Sequence, residues 1–255
     1  MKRASSEGSS TSTRSGHGSR AVGDLSISRD AVDYVPRKSG RPSSRPPITE
    51  EDIAREALAI IDKQGWPACT MKHLAQRLGV RAPSLYHHIE GQHKIVDLVR
   101  GVVVREINVD IIVGLPWEEV IVTFGAAYYR AFARHPNTIQ VLSMTPVRDD
   151  VTLNMYETFL GALTSKGWEV GRAFEAMLGI EHLALGFAYE WNAEDLMLDS
   201  SFVENHGAHL LAAATRERTN QGAVAETTFL SLLSRFVEMY KYDFEDYQQQ
   251  KGPVS

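Results

Sequence analysis

The chain has 255 residues, enough for one large domain or two ordinary ones at about 100–200 residues each. Its 43% apolar and 23% charged residues fit a soluble globule, and a single cysteine, Cys69, excludes an intramolecular disulfide framework and suits a reducing cytosol. The net charge of −5 is uneven: residues 1–100 hold 16 Lys+Arg and 11 Asp+Glu, whereas residues 101–255 hold 11 and 21, so a polyanion partner belongs to the N-terminal part.

Residues 1–46 contain twelve serines and five glycines and few large apolar side chains. Folding them would bury too little surface to offset chain entropy, so a disordered tail is expected. Its last stretch, PRKSGRPSSRPP, carries Arg37, Lys38, Arg41 and Arg45 without an acid. It reads either as a solvated linker or as a basic arm lying along a DNA groove, where the negative potential favours arginine.

From Ile48 the pattern is helical. Thr49 is an N-cap followed by Glu50, Glu51 and Asp52, where the helix dipole favours acids. Ile53, Ala57, Leu58 and Ile61 form an apolar face, and Gly65 ends the helix. Thr70 caps a short second helix, MKHLAQRLG, and Gly79 makes the turn into RAPSLYHHI, with Pro83 in the first turn, where its missing donor costs little. A fourth helix starts near Gly91–Gln92. Longer segments follow at roughly 116–134, 149–166, 170–192, 201–219 and 222–247, separated at His135–Pro136, Thr145–Pro146, Gly167 and Gly222. No segment alternates with period two, so the fold class is all-α. The expected organisation is a tail over 1–46, a three-helix DNA-binding head with a linking helix over 47–107, a ligand-binding and dimerisation bundle over 108–247, and a flexible end over 248–255.

The window Thr70–Ile89 describes a helix-turn-helix, with Ala75 small at the helix crossing and Leu85 anchoring the second helix. A short helix fits the major groove and presents the side chains of its N-terminal half to base edges. Those are Arg81, Ala82, Ser84 and His87. Arg81 can pair with a guanine edge, and Ala82 or Pro83 can meet a thymine methyl. Thr70 sets a hydroxyl and free amides where a phosphate can sit.

The run ITEEDIAREALAIIDKQGWPACTMKHLAQRLGVRAPSLYHHIEGQHKIVDLV resembles the DNA-binding domain of the TetR family of bacterial transcriptional regulators. The marks are the helix opened by Thr49, Gly65 with Thr70–Met71, LAQRLGV, PSLYHHI and the amphipathic fourth helix, with GRP upstream. PWEEVIVTFGAAYYRAFARHPNTIQVL and HLALGFAYE are more loosely similar to helices of that family's ligand-binding domain. The resemblance implies that Thr70, Arg81, Ser84, Tyr86 and His87 touch DNA, with Tyr86 on a phosphate; the competing reading of Tyr86 is a core aromatic. The arm residues Arg41 and Arg45, with Thr49, Gln92 and Lys94 near helix starts, complete the expected DNA face. Gln92 stands where the family usually has a phosphate-binding lysine, so fewer counterions are released and the salt dependence should be shallower. Ile89 replaces a usual phenylalanine in an apolar slot.

The resemblance also implies a small-molecule effector, apolar or aromatic, in the C-terminal bundle. Aromatics and methionines with occasional polar groups suit a pocket between bundle helices, and the residues expected to line it are Tyr128, Phe132, Tyr156, Phe159, Met177, His182, Phe187 and Glu190. A homodimer is expected, since two recognition helices on a two-fold axis read a palindrome; the apolar stripes of the last two segments can pair with their copies or face their own domain.

Other chemistries are weaker readings. His73, His87, His88 and His93 lack a thiolate set for zinc, and His206 with His209 reads as a solvated face. Cys69 before a helix N-terminus could have a lowered pKa but has no resolving partner. No Walker, GxSxG, HExxH or dinucleotide motif is present. Neither enzymatic activity nor a cofactor or metal is expected, and no membrane partner. The function expected is a homodimeric repressor that binds a palindromic operator and is released by its ligand; the rivals are an architectural DNA binder driven by the tail, and an activator or corepressor-dependent regulator on the same fold.

Overall fold

In the computed structural model of the chain, the described residues are 47–191, 200–216 and 221–251. The expected tail over 1–46, with Arg41 and Arg45, lies outside them. Among the described residues all regular structure is helical, as the sequence predicts. No described helix is long and apolar enough to cross a membrane.

The head starts with α1 (Glu50–Gln64), α2 (Met71–Leu78), α3 (Ala82–Leu85) and α4 (Gln92–Arg105), with a 3₁₀ turn at Trp66–Ala68. Thr49 and Asp52 form a capping box: each side chain accepts from the other's backbone N–H, at 3.1 and 3.0 Å. Ile53, Ala57 and Ile61 of α1 pack in one core with Leu74 of α2, Leu85 of α3 and Ile95 and Val99 of α4.

The remainder comprises α5 (Trp117–Arg134), α6 (Pro136–Ser143), α7 (Asp150–Thr164), α8 (Val170–Trp191), α9 (Ser200–Asn205), α10 (His209–Arg216) and α11 (Gln221–Lys251). Three features differ from the sequence reading. Pro136 does not simply separate helices: it opens α6 at a position where a missing N–H is tolerated. The segment expected over 201–219 is broken into α9 and α10 by Gly207, at φ 69°, a left-handed conformation that favours glycine. Helix α11 continues to Lys251, past the expected end at 247.

Helices α5, α8 and α11 form the centre of the bundle. They approach closely at Gly125, where a Cβ would stand 2.7 Å from Leu233 Cδ2 and 3.1 Å from Ile180 Cγ2. Phe124, Phe159 and Phe229 are fully buried nearby. The apolar core runs without a break from Ile53 in the head to Val237 in the bundle.

Candidate functional site: a helix-turn-helix surface and a buried cavity

The helix-turn-helix is built by local rules. Thr70 Oγ1 accepts the His73 N–H at 3.2 Å and starts α2. Gly79 ends it in the left-handed region (φ 69°, ψ 31°), and Val80 N–H donates back to Ala75 O at 2.9 Å, closing a Schellman turn. Helix α3 then holds only one regular turn and continues as turns to His88. It is pinned by Leu85, fully buried, and Ile89, 2% exposed.

With those two side chains inward, Arg81, Pro83, Tyr86 and His87 face solvent, and Ala82 and Ser84 are half-buried. Tyr86 is 59% exposed, so the core reading of its ring does not hold. Arg81 makes no ion pair among the described residues.

The flanking residues are more committed. The Thr49 hydroxyl donates to Asp52 Oδ2 at 2.7 Å, so it shapes the start of α1 and has no free proton for a phosphate. Gln92 donates its amide to Cys69 O at 3.2 Å, and Lys94 pairs with Glu50 at 3.6 Å. Cys69 itself is fully buried, and burial pushes its thiol up to about 11. The possibility of a lowered thiol pKa at the helix start is therefore corrected: burial disfavours the thiolate and raises the pKa instead.

In the bundle, a cavity of about 310 Å³ opens between α4, α5, α6, α7 and α8. Of the residues read from the sequence for a ligand pocket, Tyr128, Phe132, Tyr156 and His182 line this cavity and Phe159, Met177, Phe187 and Glu190 do not. Phe159 and Met177 are core residues at 0% and 1% exposure, and Phe187 packs on Phe229 at a centroid distance of 5.9 Å. Aromatic composition alone does not separate a cavity wall from the core behind it.

The lining also holds two charges that sequence reasoning missed, Arg100 of α4 and Glu181 of α8. Arg100 is 4% exposed and donates to the carbonyls of Leu142 (2.8 Å), Thr145 (2.6 Å) and Pro146 (3.0 Å). It closes the C-terminal end of α6, where orphan carbonyls and the helix dipole favour a cation. Glu181 is 7% exposed. Burial raises its pKa, and the hydroxyls of Tyr156 and Tyr128 oppose that rise by favouring the charged form. The signal for both was a single charge inside an otherwise apolar stretch, LVRGVVV for Arg100 and AMLGIEHLAL for Glu181.

A second polar contact ties the head to the bundle. His135, at the α5–α6 junction, sets Nδ1 2.9 Å from Asp62 Oδ2 of α1 and Nε2 3.0 Å from Glu106 Oε1 at the end of α4. With a carboxylate at each ring nitrogen the imidazolium is favoured. Its pKa is raised, chiefly by Asp62, with Glu106 adding to it against the opposing effect of burial. Arg134 also pairs with Glu106, and Asn137 donates to Asp62 O at 2.8 Å.

Three comparisons place this architecture. An HTH-type transcriptional regulator of Saccharopolyspora erythraea is 27% identical over 156 residues, covering 61% of this chain and 65% of the relative, just under two thirds of its length. A second HTH-type transcriptional regulator, uncharacterized, from Mycobacterium tuberculosis is 28% identical over 220 residues, covering 77% and 99%. The crystal structure of a possible TetR family regulator from Streptomyces coelicolor superposes with a TM-score of 0.63 at 22% identity, covering 75% of this chain and 99% of that one. Residues 115–249, more than half of the chain, match the model of the tetracyclin repressor-like C-terminal domain. The chain therefore belongs to the TetR family.

Proposed function

We propose that the protein is a sequence-specific transcriptional repressor that binds a palindromic operator as a homodimer and is released by a small molecule held in the bundle. The observation that carries this reading is Arg100. It lies on α4, whose Ile95 and Val99 belong to the head's core, and it also lines the cavity and holds the end of α6. A molecule entering the cavity thus meets the helix that orients the DNA-reading surface. A 100-fold loss of operator affinity needs only about 2.7 kcal/mol of differential binding between two arrangements of that helix.

Thr70, Arg81, Ala82, Pro83, Ser84, Tyr86 and His87 form the DNA face. Arg81 reads a base edge, and Thr70 and Tyr86 hold phosphates. Gln92 and Lys94 contribute less, because both already have partners within the chain. One recognition helix of a single regular turn buries little surface, and a two-fold pair doubles it. Support for pairing comes from the exposed Phe174 and Tyr189 of α8 and Met239 and Tyr242 of α11, with Gly186 open to a second copy's approach.

Selection from a random duplex library tests this reading. It predicts an enriched inverted repeat whose half-sites lie about 10 bp apart or a multiple of that, and enrichment that survives deletion of residues 1–46. Enrichment without a motif, or its loss with the tail, favours an architectural binder.

A further inference from the structure

The cavity wall holds a carboxylate that the protein satisfies only in part: the Tyr156 and Tyr128 hydroxyls bond to Glu181, and one of its oxygens is left without a donor. Glu181 Oε1 is closed off from solvent and accepts no hydrogen bond among the described residues. A buried carboxylate oxygen without a donor is costly, and the cost is removed by whatever brings a donor to it. The other charge in the wall is already satisfied: Arg100 has its guanidinium on three carbonyls. A ligand carboxylate or phosphate would therefore have to compete with those bonds and approach Glu181 as a like charge. The rings of Tyr128, Phe132 and Tyr156 line the same space, and their faces also attract a cation.

We propose that the effector site selects a compact aromatic or alicyclic molecule bearing a protonated amine, with the ammonium on Glu181 and the apolar body against Tyr128, Phe132, Met155 and Leu185. This rests on the reading of the cavity as an effector site and assigns the chemical class that it takes. Burial disfavours the charged carboxylate, against the Tyr156 and Tyr128 hydroxyls that favour it, so an ammonium beside Glu181 adds to the forces that keep it ionised. A charge-assisted hydrogen bond is roughly twice as strong as a neutral one, so an amine should gain about tenfold or more in affinity over its uncharged isostere.

The test uses the full chain and three probes on one ring system: 2-naphthylmethylamine, 2-naphthylmethanol and 2-naphthoate, titrated near neutral pH by calorimetry and by melting temperature. The amine should bind about tenfold tighter than the alcohol, and the carboxylate weakest. Glu181→Gln should bring the amine to within about threefold of the alcohol. Leu185→Trp, which fills the cavity from a half-exposed position, should remove both. If amine and alcohol bind the wild type equally, and Leu185→Trp abolishes both, the effector cavity stands and the cation assignment falls. The cation assignment also falls alone if the carboxylate binds tightest, or if Glu181→Gln folds but leaves the amine's advantage intact. If none of the three binds, or if Leu185→Trp folds and leaves binding unchanged, the cavity reading and the cation assignment fall together.

Discussion

Replacing Arg100 by methionine keeps most of the apolar stem and removes the guanidinium. Three carbonyls, those of Leu142, Thr145 and Pro146, then lose donors at 2.6–3.0 Å. A hydrogen bond from a charged donor contributes about 1.5–3 kcal/mol, and a buried carbonyl left bare costs about 1–3 kcal/mol. The adjoining cavity lets water reach part of the exposed loop end, and the arginine no longer has to be desolvated. The net loss should therefore be about 2–4 kcal/mol, below a simple sum over three bonds. For a fold of this size that corresponds to a melting temperature lower by roughly 4–16 °C. The assay is urea unfolding followed by circular dichroism, at one fixed protein concentration because a dimer's stability depends on it. Arg100→Lys should recover only part, since a lysine lacks the planar fork that spans several carbonyls. A loss below about 0.5 kcal/mol for Arg100→Met would refute the clasp and remove the proposed link between cavity and head.

Three other outcomes are expected. His135 has its pKa raised above the usual histidine value by Asp62 and then Glu106. Its stabilisation is therefore fully present below about pH 6.5, while both carboxylates stay ionised, and is lost as pH rises through the folded-state pKa; the stability gap between wild type and His135→Ala should be widest near pH 5–6 and shrink toward pH 9. A gap that grows with pH contradicts the assignment. Gly125→Ala should cost about 1 kcal/mol or more by denaturation despite alanine's better helix propensity, because its Cβ would meet Leu233, itself fully buried, at 2.7 Å; an unchanged or higher midpoint means that the Leu233 side chain moves aside at no cost. Arg81→Ala should leave the unfolding midpoint unchanged, since the side chain is exposed and without an ion pair, yet weaken operator binding by about 1–3 kcal/mol and relax preference at one base pair; a uniform loss across all sequences would make it a phosphate contact.

Much of the head is legible in the sequence because its signals are local. Thr49 and Thr70 cap and Gly79 turns, each through bonds spanning at most five residues, and Leu85 stands out as the one large apolar side chain in its short helix. The outward set on α3 follows once Leu85 and Ile89 are known to point inward. The bundle is less legible, because which side of a long apolar helix meets a cavity depends on neighbours far away in sequence. Glu181 and Glu190 both sit among apolar residues of α8, and the sequence pattern points to Glu190 for the pocket, whereas Glu181 lines it. Phe159 is indistinguishable from Tyr156 until α7 is set against α5, where Phe159 packs on Phe124 at a centroid distance of 4.4 Å. Helix α6 escapes the sequence reading because Pro136 and Pro146 bracket it, and proline marks a helix start as readily as a break. Arg100 looks like an ordinary surface charge on an amphipathic helix, and its three acceptors lie more than forty residues downstream.

The most direct measurement is the ratio of affinities for two labelled duplexes of equal length and composition, the library-selected inverted repeat and its scrambled form, by fluorescence anisotropy at about 150 mM salt, where nonspecific phosphate contacts are weakened. A repressor reading its operator through α3 predicts a ratio of about 10³ or more, falling when Arg81 is replaced and persisting when residues 1–46 are removed. Equal affinity for the two duplexes would contradict the central claim.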